Sequence, residues 1–486
     1  DGFIAGPNLL EYKADGVNYR RLENYGGQLN GAYTTDSGLK FTDVIAYRGY
    51  NLDQTSDLDF TSSNADSKSA GTSRYHQFSN EFRVALPDTN PLSGQFGLYY
   101  MNFKDQETAQ NAGNLYLPGF LLPNPPFCVN ATVSAACPVS RNFAVGSDSN
   151  YVFKSESYAA FSQLTYAVTD QFKLIAGGRV THDAVSIDLT QNQLQYFVRF
   201  GGPAGHYVQS ASNTDFSWKV GAQYQVTPDV MLYSTYAKGY KGPGMNSTSA
   251  TTTADLQVKP ETSRNLELGI KSSWLDRKLT LNLALFQTRY RDYQASGFDP
   301  ILSAFVVRNA AKLNSKGAEI SFTARPSKAF TVNGSVSLLD SKFGDFPGAQ
   351  CYPQQGCTTF NAAGLRSPLA AKFTSSLGAS YTLPIGANSL TLSGDWYHRS
   401  SIFFLANNNP LASLGPVNVF GARLTYAIQS NVKVSVFCKN CTDERVPSFI
   451  GNDPGDANGR PPLNSVYQAF GFNSVRTIGA GLGFNF

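Results

Sequence analysis

The stretch Phe216-Ser217-Trp218-Lys219-Val220-Gly221-Ala222-Gln223-Tyr224-Gln225-Val226 decides the fold class. Its even positions are Phe, Trp, Val, Ala, Tyr and Val, and its odd positions are Ser, Lys, Gly, Gln and Gln. In an extended chain successive side chains point to opposite faces, so this segment reads as one strand with an apolar and a polar face. The same period recurs in Ala318–Arg325 and Phe373–Tyr381. It returns at the end of the chain, where Ile478, Ala480, Leu482, Phe484 and Phe486 alternate with Thr477, Gly479, Gly481, Gly483 and Asn485. No long helical stripe competes with it.

Outward from these segments, the connections alternate in length. Short turns carry the Asp, Asn, Pro or Gly that tight reversals need: Thr35–Gly38, Asp88–Pro91, Thr169–Asp170, Thr227–Asp229, Leu275–Arg277, Pro326–Lys328, Pro384–Asn388 and Gln429–Asn431. Between them lie long irregular stretches read as loops: 53–73, 105–153, 190–213, 246–262, 344–371, 401–415 and 446–473. Tight turns at one end and long loops at the other mark a transmembrane, antiparallel, up-and-down β-barrel of the outer-membrane type, all-β throughout. About 17 strands are expected, the first near residues 17–35 and the last ending at Phe486. A closed sheet of that size has a wet interior, so the polar face is the lumen and the apolar face meets lipid. Tyr166, Tyr224, Trp274, Tyr381, Trp396 and Tyr426, near strand ends, suit the interfacial aromatic girdles. An odd strand count leaves the first and last strands parallel, and unpaired backbone is not tolerated in lipid. Either the count is off by one, or strands outside residues 1–486 complete the barrel.

Composition agrees. The 486 residues include 26 Tyr, 34 Phe and 43 Gly with only 15% charged residues, too aromatic for a disordered chain. No apolar run is long enough for a membrane-spanning helix. A net charge of +4, spread without long like-charge runs, argues against nucleic acid as a partner. Six cysteines form three close pairs, Cys128/Cys137, Cys351/Cys357 and Cys438/Cys441, which read as loop disulfides of an oxidising compartment. A zinc site lacks its second ligand pair. Cys438 and Cys441 lie three positions apart, about 10 Å along a strand, so bonding them needs a bulge or turn at Lys439-Asn440. No metal site and no cofactor are expected. Asp53, Asp57 and Asp59 do not have EF-hand spacing and read as solvated acids, and the four histidines are scattered. No nucleophile–base pairing is visible, so the chain is not read as an enzyme.

Several segments together resemble the TonB-dependent outer-membrane receptors. Ser157–Arg179 is similar to a family hairpin, and Lys238-Gly-Tyr-Lys-Gly-Pro-Gly-Met-Asn246 to its "KGFKsGGFN" step. Val258–Lys271, VKPETSRNLELGIK, matches its "vkPEtsrnyElGlK" signature. Asn309–Glu319 and Asn440–Asp443 resemble two further stretches, and Phe486 matches the terminal aromatic assembly signal. Val475 stands where the family usually has Pro. The resemblance implies an outer-membrane barrel of roughly 22 strands around an N-terminal plug. It implies active import, with TonB-supplied energy, of a scarce nutrient such as an iron-siderophore, a similar chelate or an oligosaccharide. Plug and TonB-contact patterns are not found in residues 1–486, so the chain is expected to be the C-terminal barrel portion, with plug and about five strands supplied by the same or a second chain. The remaining partners implied are outer-membrane lipid, the TonB complex through that plug, and a small-molecule ligand.

Ligand-contact candidates are Tyr116, Phe120 and Phe127 beside Cys128/Cys137, then Tyr240, then Phe346, Tyr352, Phe360 and Arg366 around Cys351/Cys357. Lumen or plug-contact candidates are Arg179, Lys219, Glu267, Lys271, Glu319, Arg325 and Arg423, for which a simply solvated face is the plainer reading. Two other function classes stand beside active transport: a passive porin-type channel, and a structural or accessory barrel subunit.

Overall fold

The computed structural model describes residues 16–57, 68–118, 140–193, 204–247, 250, 252–299, 304–357, 359–429, 431–452, 466–471 and 474–484. Seventeen strands form one sheet. They are β1 Tyr19–Thr34, β2 Lys40–Ser56, β3 Lys68–Leu86, β4 Leu92–Pro118, β5 Ser140–Ala167, β6 Phe172–Gln193, β7 Gly205–Thr227, β8 Val230–Lys241 and β9 Glu261–Trp274. The rest are β10 Leu279–Asp299, β11 Ala304–Ala324, β12 Phe330–Asp345, β13 Phe373–Ile385, β14 Asn388–Arg399, β15 Val417–Ile428, β16 Val432–Lys439 and β17 Thr477–Phe484. Each strand pairs antiparallel with the next, and short turns alternate with long connections as expected. Among the described residues β1 pairs only with β2 and β17 only with β16. Both run in the same direction, so they are the two edges of an odd-numbered sheet.

The faces follow the sequence pattern. Phe216, Val220 and Tyr224 are exposed at 55%, 49% and 45%, an apolar side turned outward with no protein over it. The other face is polar, and register carries it from strand to strand. Lys219 lies opposite Ala237, Ala237 opposite Asn265, Asn265 opposite Thr288, Thr288 opposite Ser315 and Ser315 opposite Ser341. Thr288 donates to Asn265 at 2.8 Å, and the Ser315 and Ser341 hydroxyls are 2.7 Å apart. All six aromatics assigned to girdles stand on the outward face.

Outward aromatics also come in pairs eight positions apart: Tyr25 and Tyr33, Tyr158 and Tyr166, Phe216 and Tyr224, Phe373 and Tyr381. Eight residues of strand measure about 27 Å, or roughly 20 Å in height at a tilt near 40°. That is close to the ~25 Å apolar band of such barrels. The pairs therefore mark the two membrane surfaces, with Tyr25, Tyr158, Phe216 and Phe373 at the long-connection end.

One expectation is corrected here. Residues 105–153, read as a loop, are largely ladder: β4 runs to Pro118 and β5 starts at Ser140. Parts of 53–73 and 190–213 are strand as well. Lys104-Asp-Gln-Glu-Thr-Ala-Gln has no apolar alternation because a hairpin standing above the membrane has water on both faces. Backbone pairing continues without that pattern.

Apolar cores lie at the long-connection end rather than through the sheet. Ile187 and Leu189 of β6 pack on Ala250 and Leu256. Phe343, Phe346, Leu313 and Ala362 make a second cluster, and Ile402, Phe404, Leu405 and Ile450 a third.

Candidate functional site

The connection after β8 forms the best-defined site. Gly244–Met245 pairs with Gln257–Val258, and Thr252 with Asp255 makes a capping box on the short 3-10 turn Thr253–Leu256. Leu256 is fully buried against β6, and Gln191 of β6 clasps the Ala250 backbone, accepting from its N–H at 2.8 Å and donating to its carbonyl at 3.3 Å. At the other side, Asn246 donates to the carbonyls of Asp255 (2.9 Å) and Val307 (3.1 Å), and accepts from the Val307 N–H at 2.8 Å. Asn309 accepts from Lys259 N–H at 2.9 Å and donates to the carbonyls of Lys259 (2.9 Å) and Asp292 (2.7 Å). Gln294 donates to Gly242 and Lys259 carbonyls, while its own N–H reaches the buried Glu261 carboxylate at 2.8 Å.

The segment thus bridges β6 to β11. Those strands are five places apart in the sheet, about 24 Å at ~4.8 Å per strand. Asp292, whose carbonyl Asn309 takes, has φ 53°, and regular β10–β11 pairing is interrupted there. Asn246, Glu261 and Asn309 come from three stretches singled out in the sequence, and the fold brings all three to one clasp. Asn246, Asn309, Gln191 and Gln294 are neutral amides, so no charge or metal-ligand pattern singles them out. Asn246 and Asn309 stand inside quoted motifs, which is the signal available for them, whereas Gln191 and Gln294 stand outside every one.

Of the lumen candidates, Arg179, Lys219, Glu267, Lys271, Glu319 and Arg423 share the polar face by register. Arg325 lies one residue past β11 at the short-turn rim, its N–H on the Lys278 carbonyl. These groups are not a bare charged ring. The Arg179 guanidinium sits 5.3 Å from the Tyr99 ring centre and 5.5 Å from that of Phe161, with Nε on Thr181 at 2.9 Å. Arg423 lies 4.8 Å over Phe437, and Lys271 5.8 Å from Tyr233, whose hydroxyl donates to Glu267 at 2.7 Å. Aromatic quadrupoles hold these cations against the wall.

The ligand-contact candidates separate. Phe120, Phe127, Cys128 and Cys137 lie outside the described residues, as does Phe486. Tyr116 is on β4, paired with Asn142. Tyr240 is on β8 rather than in a loop, and its hydroxyl accepts from Asn213 at 3.2 Å. Phe346 is corrected from a ligand surface to a core residue: it is 7% exposed, its ring 5.2 Å from Phe343. Phe360 packs half-buried on that core. Arg366 spends one terminal nitrogen on the carbonyls of Ala370 and Ser401 and lies over Phe403, tying two loops together. Tyr352 is half-buried beside the Cys351–Cys357 disulfide (Cα–Cα 5.7 Å).

Cys438 and Cys441 are also bonded, with Cα atoms 5.5 Å apart. The reversal comes from Asn440 at φ 49°, just past the end of β16, and not from a bulge within the ladder. Asp57, read as solvated, is fully buried, and its carboxylate accepts from Gly16 N–H at 3.2 Å. No group of three or more His, Cys, Asp or Glu able to hold a metal ion occurs among the described residues.

The TonB-dependent receptor-like β-barrel profile matches residues 2–441. The chain is 28% identical over 315 residues to the pesticin receptor of Yersinia enterocolitica, covering 63% of this chain and 39% of that receptor. It is 29% identical over 143 residues to the catecholate siderophore receptor Fiu of Escherichia coli, 28% of this chain and 18% of that one. Among solved structures, the ferric yersiniabactin uptake receptor FyuA from Yersinia pestis superposes with a TM-score of 0.73 at 20% identity, covering 96% of this chain and 62% of that one. The chain therefore spans less than two thirds of the pesticin receptor and of FyuA.

Proposed function

Because the chain belongs to the TonB-dependent receptor β-barrel family, we propose that it forms the wall of an outer-membrane receptor that takes up a scarce chelate with TonB-supplied energy. Its place is the bacterial outer membrane. The observation that carries the reading is the family match over residues 2–441, joined to the clasp made by Asn246, Glu261 and Asn309. The two edges of the sheet support its completion by further strands, from the same or a second chain, around a plug that meets TonB. Iron-siderophores are the preferred ligand class, since relatives named as siderophore receptors recur; an oligosaccharide is the alternative.

Tyr116, Phe120, Phe127, Tyr240 and Tyr352 remain the proposed ligand contacts. Arg179, Lys219, Glu267, Lys271, Glu319, Arg325 and Arg423 remain the proposed plug-facing groups. Uptake of radiolabelled ferric chelates by cells expressing the complete receptor tests the reading. Uptake is expected to stop when TonB is deleted, and the purified receptor to stay closed in planar bilayers. TonB-independent uptake, or a large steady conductance, would instead establish a passive channel.

A further inference from the structure

The outward face of β9–β12 carries a feature that transport does not use. Leu266, Leu268, Leu285 and Leu338 line a groove of about 940 Å³ on the membrane side of the sheet. All four are exposed, Leu338 at 52%. At its upper end, toward the long connections, the groove is closed by Lys316, Lys342, Lys372 and Asp340. Register fixes the heights. Leu338 pairs with Phe373, the upper girdle aromatic of β13, and Lys372 is the residue just before Phe373. Lys316 lies opposite Asp340, two positions above Leu338. The apolar walls are thus in the hydrocarbon layer and the ammonium groups at the level of the outer-leaflet headgroups.

The charges do not cancel. Lys342 is paired with Asp340 at 2.9 Å, while Lys316 and Lys372 are exposed and have no ion pair among the described residues. Three ammoniums against one carboxylate leave two positive charges over a hydrocarbon groove. Lysine presents strongly hydrated point charges suited to phosphate, and ammoniums at a headgroup surface draw anionic lipid.

We propose that this groove is a binding site for a phosphorylated glycolipid of the outer leaflet, with an acyl chain along Leu266, Leu268, Leu285 and Leu338 and a phosphate between Lys316 and Lys372. The lipid would be an annular partner of the wall and not cargo. The occupant is a lipid because a free anion has no use for the apolar half of the site.

The test is native mass spectrometry of the complete receptor in detergent. The probes are bisphosphorylated lipid A, the same lipid with its phosphates removed, and inorganic phosphate. Wild type is expected to retain one bisphosphorylated lipid A. Lys316→Ala/Lys372→Ala should retain it at least about tenfold more weakly, the loss of two charge-assisted contacts. Lys316→Arg/Lys372→Arg keeps the charge and should retain it, which separates charge loss from misfolding. Leu338→Trp, filling the groove without touching a charge, should also lose it. Lys278→Ala, in a short turn at the opposite rim, is the neutral control. Equal retention of the dephosphorylated lipid, displacement by millimolar inorganic phosphate, or unchanged retention in the double alanine or Leu338→Trp variant would overturn the proposal.

Discussion

Asn246→Ala tests the clasp most directly. The side chain is 8% exposed and makes three hydrogen bonds, two of them with the same residue, Val307. At a net value near 1 kcal/mol each, their loss costs the 242–260 connection about 3 kcal/mol, about 2 of it in the two Val307 bonds that attach it to β11 and the rest in the internal bond to Asp255. The barrel ladder is untouched, so global melting in detergent should barely move. Local opening should rise steeply: about 3 kcal/mol is a factor of roughly 10² in an opening equilibrium. Hydrogen–deuterium exchange reads this at the Val307 amide and in peptides covering 252–258, with 279–285 of β10 as an internal reference. Asn246→Asp should do no better, because it keeps the acceptor for the Val307 N–H but turns a carboxylate toward two carbonyls. Unchanged exchange at Val307 in both variants would show that the segment is held without Asn246, by Leu256 burial and the Gln191, Gln294 and Asn309 bonds.

Three other outcomes follow from the same geometry. Glu107, seven residues beyond Tyr100, which lies opposite the upper girdle residue Tyr158, has its carboxyl pKa raised by burial, partly offset by the Tyr151 hydroxyl that donates to it. A carboxyl raised in the fold binds protons more readily there than in the open chain, so β4–β5 hairpin stability should fall as pH rises through that window. Hydrogen exchange corrected for intrinsic rate should show more protection on the acid side, and Glu107→Gln should remove the dependence. Gly97→Ala would place Cβ 2.3 Å from the Phe161 ring, displacing it from beneath Arg179, and should cost about 1–3 kcal/mol in detergent unfolding. Gly27→Ala, with open space around it, should be near neutral, and equal behaviour of the two would refute the packing argument. Reducing Cys351–Cys357, six positions apart, should loosen that loop by about 2 kcal/mol without shifting the main transition. Proteolysis near residue 355 before and after reductant reads it, and no change in cleavage would count against the crosslink's role.

What the sequence disclosed, it disclosed through the membrane. Where lipid lies on one side and water on the other, as at Phe216–Val226, each step of the chain changes solvent and the alternation is plain. Above the girdle that contrast ends, and residues 105–118 looked like loop because neither face needs oil. The loop aromatics failed for a related reason. Phe346 was read as a surface group, but a 27-residue connection such as 346–372 is long enough to bury its own rings on Phe343. The charged lumen residues were legible as a face from parity alone, yet their seats on Tyr99, Phe161 and Phe437 depend on cross-strand register. Neutral amides such as Asn246 give no sign of their work until their partners 61 positions away are in place.

The eight-residue spacing of the outward aromatics also sets the thickness of membrane this wall prefers. A roughly 20 Å vertical separation, even lengthened by the rings themselves, is less than the ~30 Å hydrocarbon layer of an ordinary phospholipid bilayer. In such a bilayer the lipids around the wall would have to shorten, at a fraction of a kcal/mol per Å of hydrophobic mismatch. The same wall sits without that deformation in a thinner membrane, as the bacterial outer membrane is. Tyr25, Tyr33, Tyr158 and Tyr166 therefore act as a gauge as well as an anchor. Insertion should be most efficient in short-chain lipids, and the protein should sort toward the thinner of two coexisting bilayers.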